Sequence, residues 1–128
     1  CLAVPHGILP RPNDADDALS VIAPYWAAYV HFPVAQSVWH PYWNSGLPIF
    51  SKNDTVKCSF YEYESYEGKH ERLLLFGNLS KTPNKATLSG KISYAKCLTD
   101  ESTAVLCKDG LEIRLKSYGA AVVYAVFE

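Results

Sequence analysis

From Ala18 to Ser51 the chain carries no Asp, Glu, Lys or Arg. The 12 basic and 13 acidic residues of the 128-residue sequence all lie outside this span. A segment so long without a formal charge has to be covered by the chain's own core, by lipid or by another protein. Its first half, "ALSVIAPYWAAYVHF", reads as a helix, placed at residues 15–32, with Pro24 as a kink or early break. Leu19, Ile22, Trp26 and Tyr29 form one stripe at helical spacing, and Val21, Tyr25 and Ala28 form another. A helix apolar nearly all round should be buried on more than one side. A membrane span is the rival reading. Ser20, Pro24, His31 and Pro33 interrupt the run, and no basic residues flank it, so that reading is rejected.

The second half contains "VWHPYWNSG" (residues 38–46), with two Trp, a Tyr and a His in nine positions. Trp39, His40, Tyr42 and Trp43, joined by Tyr25 and Trp26 of the helix, are the candidate site residues. Flat aromatic faces could stack on the C–H face of a pyranose, or the same rings could pack against a neighbouring domain. Ligand sites mix aromatic rings with charged or amide groups. The position of these rings within a charge-free run therefore favours packing.

After Phe50 the pattern turns to strands. "VKCSFYEY" places Val56, Cys58 and Phe60 on one face and Lys57, Ser59 and Tyr61 on the other. "RLLLFGN" and "AAVVYAVF" are apolar on both faces, as central strands are. "ATLSGKI" and "YAKCL" are shorter strands, and "TAVLC" and "LEIRLK" flank the hairpin turn Lys108-Asp109-Gly110. Short strands with frequent turns predict a mainly β chain, an antiparallel sandwich of about seven to eight strands with one N-terminal helix packed on it. Residues 15–128 form that unit. Residues 1–14 read as an extended lead-in, where Pro5, Pro10 and Pro12 exclude a helix and Asn13, Asp14, Asp16 and Asp17 suit a helix cap.

The composition argues against several functions. A net charge of -1 with no basic block argues against nucleic acid as a partner. Cys1, Cys58, Cys97 and Cys107 show no metal-binding spacing, although a Cys97–Cys107 link across a hairpin is conceivable. No nucleophile motif, phosphate-cradling glycine loop or His pair at ligand spacing is present, so no catalytic residue, metal site or cofactor is expected. Glu62, Glu64 and Glu67 cluster near the first hairpin. A cross-strand ion pair with Arg72 or Lys69 explains them better than acid catalysis, for which a second acid is missing. Asn53 and Asn78 match the glycosylation pattern, but Asn78 ends a buried strand and is a poor acceptor.

The order of these features resembles the C-terminal β-sandwich of large bacterial glycoside-hydrolase-like proteins, in which a (β/α)8 barrel precedes a small sandwich. The resemblance rests on Pro41-Tyr42-Trp43, the strand ending in Gly77-Asn78, a short Asp…Gly stretch and the closing "LEIRLKSYGAAVVYAVF", and covers most of residues 15–128. It implies a non-catalytic accessory domain whose partner is a catalytic barrel preceding it in the same chain. The acids of such proteins sit on the barrel, so none is carried over here. The expectation is therefore a piece of a longer protein with an apolar front made to be covered. Two alternatives remain: a carbohydrate-binding module gripping a polysaccharide with an aromatic platform, and a stand-alone surface protein lipid-anchored through Cys1. An uncovered front would also suit a dimer.

Overall fold

The computed structural model describes residues 4–7, 18–99 and 102–128. Among them one helix and nine strands follow in order: α1 (Ala18–His31), β1 (Val38–His40), β2 (Ile49–Ser51), β3 (Val56–Glu64), β4 (His70–Asn78), β5 (Asn84–Ser89), β6 (Ile92–Cys97), β7 (Thr103–Cys107), β8 (Gly110–Leu115) and β9 (Ala120–Phe127). All pairings are antiparallel, in a five-stranded sheet ordered β1-β3-β4-β9-β6 and a four-stranded sheet ordered β2-β5-β8-β7. This is the expected sandwich with one helix. The strands beyond the expected number are the three-residue β1 and β2, both inside the charge-free span.

Turn chemistry sets the registers. Gly68, at φ 72°, lets the Ser65–Lys69 turn close, with the Gly68 N–H donating to the Ser65 carbonyl at 2.9 Å. Glu64 then sits opposite His70, and the ladder runs unbroken to Val56 opposite Asn78. At the β7–β8 hairpin only Lys108 and Asp109 separate Cys107 from Gly110. A Cβ on Gly110 would lie 2.0 Å from the Leu88 carbonyl oxygen, so the close approach of β5 and β8 there requires glycine.

Alternation splits the apolar residues into two cores. Val56, Cys58, Phe60, Leu74, Phe76, Val123 and Ala125 face the second sheet and meet Leu88, Leu111, Ile113 and Leu115 from it. Leu73, Leu75 and Val122 point to the opposite face of the same sheet, against Val4, Ala28 and Phe32. Strands β4 and β9 thus serve both cores, which is why they are apolar on both faces.

The helix forms the third layer. Ile22, Ala28 and Phe32 are buried and Tyr25 and Tyr29 are half-buried, whereas Ala23, Trp26, Ala27 and Val30 are exposed. The expectation of burial on more than one side is corrected: one stripe faces the sheet, and Trp26 lies off it. The side chains of Leu19 and Val21, and the cap residues 13–17, fall outside the described residues. The helix continues through Pro24 rather than ending there. Burying side chains such as Ile22 and Phe32 contributes about 2 kcal/mol each, which together offsets the one amide bond that proline removes.

Two other expectations change. Within the lead-in, Val4–His6 is not extended but forms a 3-10 turn. Val4 and Pro5 are buried there, and the Ser59 hydroxyl donates to the Pro5 carbonyl. That contact explains why Ser59, polar and on the outer face of β3, is fully buried. The Cys97–Cys107 link does not form: Cys97 packs against the inner core while Cys107 is exposed, and Cys58, Cys97 and Cys107 are free thiols. Burial pushes the Cys58 thiol pKa well up, so Cys58 behaves as a small apolar residue. Among the described residues, no helix is long and apolar enough to cross a membrane.

Candidate functional site

The six expected site residues do not converge. Trp39 and His40 are neighbours on β1 and point to opposite faces of the sheet. Trp39 packs on Tyr61 with ring centroids 4.6 Å apart, in the helix-side layer. His40 stacks on Phe60 at 4.4 Å and an interplanar angle of 11°. Tyr42 and Trp43 lie in a 3-10 turn (Tyr42–Asn44), anchored where the Tyr42 N–H donates to Ser59 Oγ at 2.8 Å. Their rings stand perpendicular, at 84°, and both meet His6, so the adjacent pair offers no flat two-ring floor. Tyr25 lies under the helix, with its hydroxyl donating to the Ala120 carbonyl at 3.4 Å. Trp26 and Trp43 remain 44% and 64% exposed.

The inner face of the first sheet carries a charged cluster. Register places Glu62 opposite Arg72, and Arg72 Nε donates to Glu62 Oε2 at 2.5 Å. The guanidinium lies between the rings of Phe60 and Phe127, 4.8 and 4.2 Å from their centroids. His40 Nε2 and His70 Nδ1 each lie 3.9 Å from an oxygen of Glu62, and both nitrogens are buried without a hydrogen-bond partner. With Arg72 bonded to it, Glu62 is the cross-strand ion-pair partner that strand parity implies. Lys69 pairs with Glu67 at 3.1 Å. Among the described residues, no three His, Cys, Asp or Glu side chains are grouped to hold a metal ion.

Cavities open on the surface among the described residues. One, about 550 Å³, is an open dish on the second sheet lined by Lys85, Thr103, Arg114 and Lys116. Two of its cations, Lys85 and Arg114, are already paired with Glu112, at 3.6 and 3.0 Å. Two more lie on the outer face of the first sheet, about 500 Å³ and about 290 Å³, and both are lined by Glu71 and Tyr124. The smaller one reaches His31, Phe32 and Pro33 at the end of the helix; the larger reaches Tyr66, Tyr94, Lys69 and Ser93. They adjoin at Glu71 and Tyr124, where the helix stops covering the sheet, and are treated together as one groove. Tyr124 donates its hydroxyl to Glu71 Oε1. Burial, then the nearby Glu71, pushes the Tyr124 pKa up to about 12, so the phenol stays a donor at neutral pH.

The chain finds no match among known protein families, characterised proteins or solved structures. The candidate surfaces therefore rest on their own geometry. The aromatic front comes from the charge-free span, where it was sought. The groove was missed. Its parity signal was present, since Glu71 shares the outward face of Leu73 and Leu75, but the pairing of β4 with β9 joins residues 53 positions apart.

Proposed function

We propose that the chain is a non-catalytic accessory β-sandwich of a carbohydrate-active, glycoside-hydrolase-like protein, and that its helical and aromatic front packs against a catalytic barrel of the same protein. The observation that supports this reading is the apolar surplus left after folding. Trp26 and Val30 on α1 and Trp43 beyond β1 stay exposed, although all three come from the span without formal charge. None of the three belongs to either of the chain's own two cores. Large aromatic side chains outside the core, in a segment lacking the charges of a solvated surface, suit an interface. Glu62 is engaged by Arg72, which fits a structural role for the carboxylate cluster.

Two measurements test the reading. The reading frame should encode a barrel domain ahead of this one; a frame that encodes the sandwich alone refutes the proposal. Acrylamide should quench Trp26 and Trp43 fluorescence efficiently in the isolated chain and much less in the longer protein. Equal quenching in both means that nothing covers the front. A dimer of the isolated chain that protects the same two residues as fully would assign the front to self-association instead.

A further inference from the structure

The groove on the outer face of the five-stranded sheet has no role in that docking reading, and the inference drawn from it does not rest on it. The helix covers Leu73, Leu75 and Val122 and ends at His31. Beyond that end, one cross-strand row of the sheet lies outside the helical cover. It runs Tyr94, Val126, Glu71, Tyr63 across β6, β9, β4 and β3. Tyr124 stands one row nearer the helix, with its ring centroid 5.9 Å from that of Tyr94. Tyr94 is 48% exposed and lines the larger cavity, so its ring is accessible to whatever enters.

The polar groups of the groove are mixed rather than of one sign. Glu71 accepts from Tyr124 through Oε1, and no described residue bonds its Oε2. Lys69 supplies donors while meeting the charge of Glu67, and Ser93, whose hydroxyl donates to the Val126 carbonyl at 3.3 Å, offers an acceptor oxygen. A floor of aromatic rings with one unengaged carboxylate oxygen, hydroxyls and an ammonium around it suits a neutral guest that has an apolar face and a rim of hydroxyl groups. A cationic guest would gain from Glu71 but would meet Lys69. A purely apolar guest would strand the Glu71 carboxylate against a dry surface. Two open hollows side by side, about 500 Å³ and about 290 Å³ with Glu71 and Tyr124 lining both, fit a chain of such units better than one enclosed molecule.

We propose that this groove is a binding site for a neutral saccharide chain, with one sugar ring against Tyr94, ring hydroxyls donating to Glu71 Oε2, and the next unit lying past Tyr124 toward Phe32. The site is distinct from the Trp39–Trp43 aromatic run, which lies along a different edge of the sheet.

Affinity electrophoresis of the chain through gels containing β-glucan, xylan, mannan or starch tests the proposal. At least one polysaccharide should retard the protein, and the retardation should persist in 0.5 M NaCl. Tyr94→Ala should weaken binding about tenfold, as loss of a central aromatic contact does, and Glu71→Gln should weaken it severalfold. Tyr94→Phe should keep most of it, and Trp43→Ala should leave it unchanged, which separates the groove from the docking front. Tyr94 is half-exposed, so its variants should melt like the parent, and thermal denaturation checks this. No retardation by any of the four polysaccharides overturns the proposal. So does binding that Tyr94→Ala and Glu71→Gln leave intact, or binding lost with Trp43→Ala instead. Binding of poly-lysine but no polysaccharide, abolished by salt, would reassign the groove to a cationic peptide.

Discussion

Replacing Asn78 by Asp changes one amide into a carboxyl of the same shape, at a site with no exposure at all. Asn78 Nδ2 donates to the carbonyls of Thr82 and Lys116 at 2.9 and 3.0 Å, while Oδ1 accepts from Thr55 Oγ1 and the Ser80 N–H at 3.2 and 3.1 Å. Asn78→Asp keeps the two acceptor contacts and loses both donors. Each buried carbonyl left without a donor costs about 1–2 kcal/mol, and a carboxylate facing two carbonyl oxygens costs more, so the total at pH 7 is about 4 kcal/mol. For 128 residues, the unfolding entropy is about 0.27 kcal/mol/K. The melting temperature should therefore fall by about 15 °C. The loss should depend on pH. Burial raises the introduced carboxyl's pKa above its unfolded value of about 3.9. The folded state then holds a proton that the unfolded state releases, and stability falls as pH rises through that interval. At pH 4 the protonated group can donate one of the two lost bonds, and the deficit should shrink to roughly half. Circular dichroism melts of parent and variant at pH 4, 5.5 and 7 measure both effects. A variant melting within 3 °C of the parent at pH 7, or a deficit no smaller at pH 4, would refute this account of Asn78.

Arg72→Ala removes a guanidinium held between two rings and leaves Glu62 largely buried beside two histidines. It should destabilise by about 2–3 kcal/mol, and adding Glu62→Gln should recover part of that in urea unfolding; a double variant no better than the single one would dismiss the pairing. Burial raises the pKa of Tyr29, Tyr61 and Tyr124, the last to about 12. Their contribution is whole below the unfolded value near pH 10 and is lost as pH rises toward 12. Urea midpoints should therefore drop between pH 9 and pH 11, less steeply in Tyr124→Phe, and identical midpoints at the two pH values would contradict the burial of these phenols.

Strands β3, β4, β8 and β9 were legible because alternation and uniform apolarity carry their burial. Parity within one hairpin also located the Glu62–Arg72 pair. The strands β1 and β2 were not legible. Each has three residues, and Pro41 follows one while Pro48 precedes the other, so neither has room for a period. The helix was legible as a helix but not in its phase. Its composition is apolar on most sides, and only contact with the sheet decides that Tyr25 and Phe32 turn inward while Trp26 turns out. The Glu71–Tyr124 groove depends on which distant strand lies beside β4, a fact of tertiary pairing that no local pattern encodes.

A strand that is greasy on both sides has a consequence of its own. Where one face is wet, sliding by a single residue turns the core outward, and that penalty holds the alignment. β4 and β9 lack this safeguard, because a slip by one would exchange one dry side for the other. Their alignment must come from size and from the ends. Phe76 stands opposite Ala121, bulk against gap, while Asn78 at one end and Arg72, paired with Glu62 and lying over the Phe127 ring of β9 toward the other, act as stops. Weakening both stops together should yield a protein that still collapses and still forms sheet, yet no longer settles on one alignment.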